Sequence, residues 1–476
     1  MKILLAVHGF SPELVGGTEN ATRALAHGLV RHGHEVVLVA GTLRHEQGFR
    51  RSLELDRVGG CALGAPDGAG DRAIRVHRIH RADLYFDHWQ KSASAKASLA
   101  FRDILREERP ELVHVQHWLR LSRDLVHRAA CERIPSVVTL HDLWATCLVT
   151  FRVKPESGEF CEAPLAPSPC IRCAAQVPPR TPWHSYEAQG VALLERSADL
   201  ARELELARAV LAPTRAHAEA VARYLGLAGA RMNVRVVPHG RDLALRPRTP
   251  LPPPHESEKL VLGTWGHLYR LKGADCVLRA LHALREPERI ELHVAGGEPE
   301  AAFAREVHEL ARGLDVRFHG SYEVETLDRH PVSRVHAFVS GTRAHESWGL
   351  VLDEAVALGL PLVLPQSGAY AERLREGRGA LFYEPGSAQS LAAVLERLLT
   401  EPALLRELCA NLPAARDFTP STEDNVRAHL TVYEEALRAG APPVRPVPER
   451  ERLWQAAEDA FERELPRHTA EELGFA

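Results

Sequence analysis

The chain has 476 residues, of which 45% are hydrophobic and 26% charged, and this length predicts two domains rather than a single core. Its 59 basic and 63 acidic side chains leave a formal net charge of −4, which gives no overall field for nucleic acid or an anionic membrane. The opening run MKILLAVHGF is too short for a signal peptide, and no apolar run approaches the roughly 18 residues of a membrane span. We therefore expect a cytoplasmic protein that binds no nucleic acid.

The first forty residues carry the pattern of a strand, a helix and a second strand. Residues 2–8 form an apolar run, and Gly16 and Gly17 precede apolar residues that recur with helical spacing. Gly33 ends this predicted helix, and the apolar run Val36–Val39 follows it. Such a unit is the start of a parallel sheet of the Rossmann type.

The rest of the N-terminal half predicts further strands around two irregular stretches. Residues 41–81 show little periodicity, and residues 147–182 are so rich in Pro and Cys that we expect an elaborated loop. Short buried strands are predicted at Leu112–Val115, Ser136–Leu140, Ala209–Ala212 and Val234–Val237. We assign residues 1–245 to an N-terminal domain.

A proline-rich passage, RPRTPLPPP at residues 246–254, separates this domain from a second one. Strand and helix patterns alternate again after it, so we assign residues 256–440 to a C-terminal domain. Residues 441–476 form a tail with helical spacing, suited to packing back on the first domain. The predicted fold is α/β, with two Rossmann-like, doubly wound parallel-sheet domains that face a cleft.

Two carboxylates of the second domain, Glu346 and Glu354, stand eight residues apart in the string HESWGLVLDEAVALGLP at residues 345–361. Carboxylates accept hydrogen bonds from paired hydroxyls, so this spacing suits a sugar and a ribose held side by side. Taken alone, the two residues are explained more simply by helix capping and solvation.

The whole string resembles the E-x7-E motif of retaining GT-B glycosyltransferases of the glycosyl transferases group 1, family 4 type. The family's Glu-Ala, Gly and Pro recur at Glu354, Ala355, Gly359 and Pro361. In that family the first glutamate binds hydroxyls of the donor sugar and the second binds the nucleotide ribose. The resemblance implies these roles for Glu346 and Glu354.

The segment GTWGHLYRLKG, residues 263–273, resembles the family's diphosphate-binding loop. The resemblance implies that Lys272, with backbone N–H groups of the loop from Gly266 onward, neutralises the leaving diphosphate. His267 stands where the family usually has an arginine, and Arg270 is a candidate substitute at a different position.

Two further glycine-bearing turns resemble family segments that approach the donor. Ser367 and Gly368 open a passage like the one that follows the E-x7-E helix, where backbone amides meet phosphate. Gly16 and Gly17 resemble the family's Gly-Gly turn, which lets the backbone approach an anion or a sugar. We assign all four to donor binding, with a plain turn as the alternative for Gly16 and Gly17.

Polar residues also follow two predicted strands of the first domain, where open α/β sheets bind ligands. His141 and Asp142 match the family's Thr-x-His-Asp, which implies a catalytic contact of His141 with the donor sugar. His117 resembles a family histidine near the acceptor, and we assign it with Asp142 to the acceptor side. A histidine that is merely satisfied at a strand end is the alternative in both cases.

Four of the eight cysteines, Cys147, Cys161, Cys170 and Cys173, form C-x13-C-x8-C-x2-C within the irregular loop. Four thiolates suffice for a tetrahedral zinc site, but only one C-x2-C pair is present. A structural zinc ion and four reduced thiols are therefore equal alternatives.

The resemblance implies a retaining transferase that needs no cofactor for catalysis and takes a nucleotide-diphosphate sugar as donor. It implies a glycan or lipid-linked acceptor of bacterial polysaccharide or lipopolysaccharide synthesis, with peripheral contact at the inner face of a membrane in the second case. A non-catalytic nucleotide-sugar-binding or scaffold protein and a nucleotide-sugar epimerase of GT-B fold are the alternatives.

Overall fold

The computed structural model of the chain describes residues 1–42, 49–58, 73–81, 92–174, 185–225, 232–255 and 258–464. Its strands are β1 (Lys2–Val7), β2 (Glu35–Gly41), β3 (Arg50–Arg57), β4 (Ala73–His80), β5 (Leu112–Val115), β6 (Ser136–Thr139), β7 (Ala209–Ala212), β8 (Val234–Val236), β9 (Leu260–Trp265), β10 (Ile290–Ala295), β11 (Asp315–Phe318), β12 (Ala337–Val339), β13 (Leu362–Pro365), β14 (Arg375–Glu376) and β15 (Gly379–Tyr383).

The helices alternate with these strands along most of the chain. They are α1 (Gly17–Arg31), α2 (Ala95–Glu108), α3 (Leu125–Cys131), α4 (Pro167–Ala174), α5 (Tyr186–Leu206), α6 (Arg215–Tyr224), α7 (Ala274–His282), α8 (Ala301–Leu310), α9 (Leu350–Ala357), α10 (Gly368–Arg373), α11 (Ala388–Thr400), α12 (Pro402–Ala410), α13 (Ala415–Phe418), α14 (Thr422–Ala439) and α15 (Pro448–Glu464). Within the described residues, none of these helices is long and apolar enough to cross a membrane.

The first sheet has the strand order β3-β4-β2-β1-β5-β6-β7-β8. Its neighbours are parallel except β3 and β4, which pair antiparallel. Successive strands lie to one side of β1 up to β4 and to the other side from β5 onward, so the order reverses between β1 and β5. In open α/β sheets a ligand crevice forms at the carboxyl ends of the strands at such a point.

The second sheet has the order β11-β10-β9-β12-β13-β15-β14, and each pair of neighbouring strands is parallel. Helices cover both faces of each sheet, and each domain has its own apolar core on both sides of its strands. The predicted fold class of two doubly wound α/β domains is confirmed.

Two assignments from the sequence need correction. The stretch 41–81 was expected to be irregular, but it contains β3 and β4, which form the edge of the first sheet. Helix α14 was assigned to the C-terminal domain, but Val426, Tyr433 and Ala436 are buried in the core of the first domain. The chain therefore crosses back to the N-terminal domain before its tail.

The two crossings between the domains run side by side. Thr422 N–H donates to Asp242 Oδ1 at 3.0 Å, Arg241 N–H donates to Pro420 O at 2.9 Å and Asn425 Nδ2 donates to Pro238 O at 2.6 Å. The outgoing segment 238–242 and the returning segment around 420–425 thus hydrogen-bond to each other.

The tail helix α15 packs on the N-terminal domain. Arg450 lies 2.9 Å from Asp199 and 3.4 Å from Asp124, and both carboxylates are buried. Residues 465–476 of the tail lie outside the described residues, as do 43–48 and 59–72 of the predicted irregular stretch and 175–182 of the predicted loop.

Candidate functional site

A small cavity lies at the carboxyl ends of β9 and β12, where the loop predicted to bind diphosphate meets the segment that carries Glu346. Trp265, His267, Lys272, Ser340 and Tyr370 are among its lining residues. Its volume is about 50 Å³, whereas ligand clefts usually measure about 300–1,000 Å³. A ligand of that size therefore does not fit into this cavity as it stands.

Lys272 and Glu346 meet beside this cavity. Lys272 Nζ lies 2.7 Å from Glu346 Oε1, and Thr342 Oγ1 donates to the same oxygen at 3.0 Å. No hydrogen bond to Glu346 Oε2 is present among the described residues, so this oxygen is available to a ligand hydroxyl. A cation and a hydroxyl acceptor, predicted from separate motifs, thus stand side by side.

Glu354 is deeply buried and already bonded. Arg241 Nη2 lies 2.8 Å from Glu354 Oε1, and Trp265 Nε1 donates to Glu354 Oε2 at 2.9 Å. Burial raises the pKa of Glu354, although Arg241 and Trp265 oppose that shift. A ribose at this carboxylate would share it with Arg241, a residue that the sequence analysis did not single out.

Six backbone N–H groups of the segment 263–273, which was predicted to bind diphosphate, already donate within the protein. Gly266 N–H donates to Ala295 O, Leu268 N–H to Gly297 O, Tyr269 N–H to His267 O, Arg270 N–H to Glu300 Oε2, Lys272 N–H to Tyr269 O and Gly273 N–H to Arg270 O. These bonds fix the shape of the loop. Lys272 is the residue of this loop whose cationic side chain lines the cavity.

The predicted substitution of Arg270 for the family's arginine is also not supported. Arg270 Nη2 lies 2.5 Å from Glu306, and its guanidinium packs over the ring of Phe303, so it points toward α8 instead of lining the cavity. His267 does line the cavity, and its Nε2 lies 3.4 Å from Val15 O of the first domain.

Ser367 and Gly368 are not among the lining residues of the cavity, and Gly368 and Ala369 lie against the backbone of Glu346. Ala369 N–H donates to Glu346 O at 2.9 Å, and Ser367 N–H donates to Pro365 O. Gly368 has a φ of 52°, and a Cβ there would lie 2.6 Å from Glu346 O. The glycine thus allows this loop to support the Glu346 backbone.

The turn at Gly16 and Gly17 lies at the edge of the cleft, but the start of α1 carries its own carboxylate. Glu19 Oε2 lies so close to Gly16 that a Cβ there would be 2.7 Å from it. Burial opposes ionisation of Glu19, but His8, at 2.9 Å, lowers the pKa of Glu19 below its usual value. A phosphate at this helix start would be repelled, which weakens the predicted donor contact of Gly16 and Gly17.

The predicted histidines of the first domain gather at the crevice where the strand order reverses. His117 Nε2 lies 3.3 Å from Asp142 Oδ2, and the His117 and His8 rings are 4.5 Å apart. His141 lies beside this group, where its Nε2 is 2.6 Å from Gln116 Oε1. Burial lowers the pKa of His117 and, more strongly, that of His141, so both are neutral near pH 7. The sequence reasoning missed His8, although it directly follows β1.

The four cysteines of the predicted loop line one cavity of about 320 Å³, with apolar walls that include Leu148, Val149 and Leu165. Burial and, to a smaller degree, the other three thiols raise the pKa of Cys173 to about 11. Among the described residues, no three His, Cys, Asp or Glu side chains converge on a point that would hold a metal ion. The choice between zinc and reduced thiols stays open.

Sequence comparison identifies both halves of the chain. Residues 15–245 match Glycosyltransferase Family 4, and residues 259–401 match Glycosyl transferases group 1. The D-inositol 3-phosphate glycosyltransferase of Rhodococcus erythropolis is 30% identical over 186 residues, which is 37% of this chain and 42% of that protein. The enzyme of the same name from a Nocardioides species is 31% identical over 229 residues, 43% of this chain and 48% of that protein. These matches thus span less than half of the length of each relative.

Solved structures share the fold at low sequence identity. Sucrose-phosphate synthase from Thermosynechococcus elongatus superposes with a TM-score of 0.62 at 19% identity, over 92% of this chain and 100% of that one. Anabaena HepE, solved in complex with UDP and glucose, superposes with a TM-score of 0.59 at 17% identity, over 91% of this chain and 100% of that one. The architecture is the GT-B fold.

Proposed function

We propose that this chain, which belongs to the glycosyltransferases that join a family 4 domain to a group 1 domain, is a retaining enzyme. In this proposal it transfers a sugar from a nucleoside-diphosphate sugar to a hydroxyl of an acceptor. The acceptor is a glycan or a lipid-linked sugar, and the lipid-linked case implies contact with the inner face of a membrane.

The observation that carries this proposal is the Lys272–Glu346 pair, with 2.7 Å between Nζ and Oε1. Glycosyl transfer breaks the bond between a sugar carbon and a phosphate oxygen. The enzyme then needs a cation on the phosphate side of that bond and, on the sugar side, a group that accepts hydrogen bonds from the sugar hydroxyls. Lys272 and Glu346 provide these two groups in direct contact with each other.

The proposed reaction proceeds on one face of the sugar. The bond to the diphosphate breaks, the acceptor oxygen attacks from the same face and a leaving phosphate oxygen takes the acceptor proton. Lys272 stabilises the charge that develops on the diphosphate. Contacts across the cleft, such as that of His267 with Val15, support closure around the donor, which excludes water that would otherwise hydrolyse it.

UDP-sugars are the first donors to test, because the related fold of Anabaena HepE was solved with UDP and with UDP-glucose. The curated relatives are named for transfer to an inositol phosphate, so D-inositol 3-phosphate and myo-inositol are the first acceptors to test.

The test is thermal unfolding of the protein with UDP-, GDP-, ADP- and dTDP-sugars. A donor at 100 times its dissociation constant stabilises the folded state by about 2.7 kcal/mol, and Glu354→Ala should abolish that gain. Glu407→Ala, on the exposed face of α12, is the control and should keep it. Stabilisation without turnover would favour a nucleotide-sugar-binding protein, and no response to any donor would refute the proposal. Inversion at the sugar carbon, observed by NMR of the product, would refute retention.

A further inference from the structure

An arginine that does not face the cavity joins the two loops that carry Lys272 and Glu346. Arg343 Nη1 donates to Asp275 Oδ1 at 2.8 Å, and Arg343 Nη2 donates to Asp275 Oδ2 at 2.6 Å. Asp275 lies in the first turn of α7 and is 2% exposed. Such a two-point pair fixes orientation as well as distance.

Arg343 also bonds to the residues that directly precede Lys272. Its Nη1 donates to Arg270 O at 2.8 Å, and its backbone N–H donates to Leu271 O at 2.9 Å. Thr342, its neighbour, bonds to Glu346 through the same Oγ1 that contacts Leu271 O. The lysine loop and the glutamate loop are therefore held to each other at several points around Arg343.

The two loops also touch through backbone alone. A Cβ at Gly273 would lie 1.8 Å from Gly341 O, and a Cβ at Gly341 would lie 2.0 Å from Gly273 O. Only glycine at both positions permits this approach, and Gly273 has a φ of 69°. The contact leaves little freedom for one loop to slide past the other.

The guanidinium of Arg343 is covered from outside by the cysteine-rich insertion of the first domain. A Cβ at Gly158 would lie 3.2 Å from Arg343 Nε, and the Arg343 side chain is 14% exposed. Its donors are directed at Asp275 and Arg270 O rather than at a ligand. Any effect of Arg343 on the donor must therefore pass through the residues that it holds.

We propose that Arg343 is a positioning residue, which together with Asp275 sets the spacing between Lys272 and Glu346 so that diphosphate and sugar bind at once. The inference rests on the proposed function. It predicts that Arg343 matters for the diphosphate and sugar parts of the donor and not for the nucleoside part, which is assigned to Glu354.

The test compares three ligands of one base: the nucleoside monophosphate, the diphosphate and the diphosphate sugar. The base is that of the diphosphate, among UDP, GDP, ADP and dTDP, that stabilises the wild-type protein most. Arg343→Met should keep the affinity for the monophosphate within about twofold. The ratio of the affinity for the diphosphate sugar to that for the monophosphate should fall about tenfold or more, as expected for a lost charge-assisted bond.

Two further variants keep the test decisive if Arg343→Met folds poorly. Arg343→Lys keeps the charge but not the two-point geometry, so it should show a smaller loss of the same kind. Asp275→Asn should reproduce the pattern, and the double variant should add little to either single change because both act through one contact. Lys259→Met removes the 2.7 Å pair with Asp315 at the opposite ends of the strands and should leave all three affinities unchanged.

The outcomes separate the two proposals. A fall in thermal midpoint with the three affinities unchanged, or with all three reduced equally, would overturn the positioning role while the transferase proposal stands. A wild-type protein that binds none of the four nucleotides would overturn both.

Discussion

Acid is expected to destabilise this protein through histidines that are buried in the neutral form. Burial is the main cause that lowers the pKa of His217 to about 4, of His239 to about 3 and of His429 to about 4. All three lie in or against the first domain, where His429 on α14 donates through Nδ1 to Asn425 O at 2.8 Å. In the unfolded chain each regains a pKa of about 6.5.

The direction in which stability changes with pH follows from which state, folded or unfolded, binds the proton more tightly. The folded-state pKa values lie below the unfolded value, so the contribution to stability is complete above about pH 6.5 and is lost as the pH falls toward 4. At about pH 5.5 the loss is about 1.4 kcal/mol for each histidine and about 4 kcal/mol for the three. That is a large part of the roughly 5–15 kcal/mol that stabilise an ordinary domain.

Urea unfolding at about pH 7.5 and about pH 5.5 measures this loss, and His429→Gln isolates one share of it. The variant should lose about 1.4 kcal/mol less than the wild type between the two values. His255→Gln, at an exposed position, should lose as much as the wild type. Equal stability at both pH values, or an undiminished loss in His429→Gln, would refute the reasoning.

Three further changes have expected outcomes. Gly273→Ala brings a Cβ to 1.8 Å from Gly341 O at a φ of 69°, so we expect at least about 2 kcal/mol of lost stability in urea unfolding; a neutral effect would show that the two loops separate easily. Arg450→Ala leaves Asp124 and Asp199 with fewer partners and should cost about 1–3 kcal/mol by the same assay, whereas no cost would mean that the tail is loosely held. If the four-cysteine loop binds zinc, elemental analysis should find one ion per chain that is lost in Cys170→Ser; a wild-type protein without metal would refute zinc.

Local patterns predicted that Lys272 and Glu346 would lie near each other because both follow strands of the same parallel sheet. Lys272 follows β9, and Glu346 and Glu354 flank the start of α9, so chain order alone brings them to one edge of a parallel sheet. The direction of a side chain does not follow from that order. Arg270 was expected to face phosphate, but Glu306 on α8 attracts it away.

The misassigned segments are those whose partners lie far away in sequence. Strand β3 reads RRSLELDR and is exposed on both faces at an edge, so it shows no buried alternation, and its place depends on pairing with β4. Helix α14 has an ordinary amphipathic pattern, and nothing in it says which domain its apolar face covers. Arg241 likewise acquires its role only when the chain folds it against Glu354.

The paired crossings of the chain at 238–242 and 420–425 restrict how the two domains can move relative to each other. Two bodies tied by one strand of chain can swivel about it in any direction, whereas two ties that lie side by side and bond to each other leave bending about the line between them as the easy motion. One carboxylate, Asp242, accepts from the start of α14, and its neighbour Arg241 reaches Glu354 in the cleft. The same few residues therefore lie at the axis of any hinge motion between the two domains and contact the place where the nucleotide is proposed to bind.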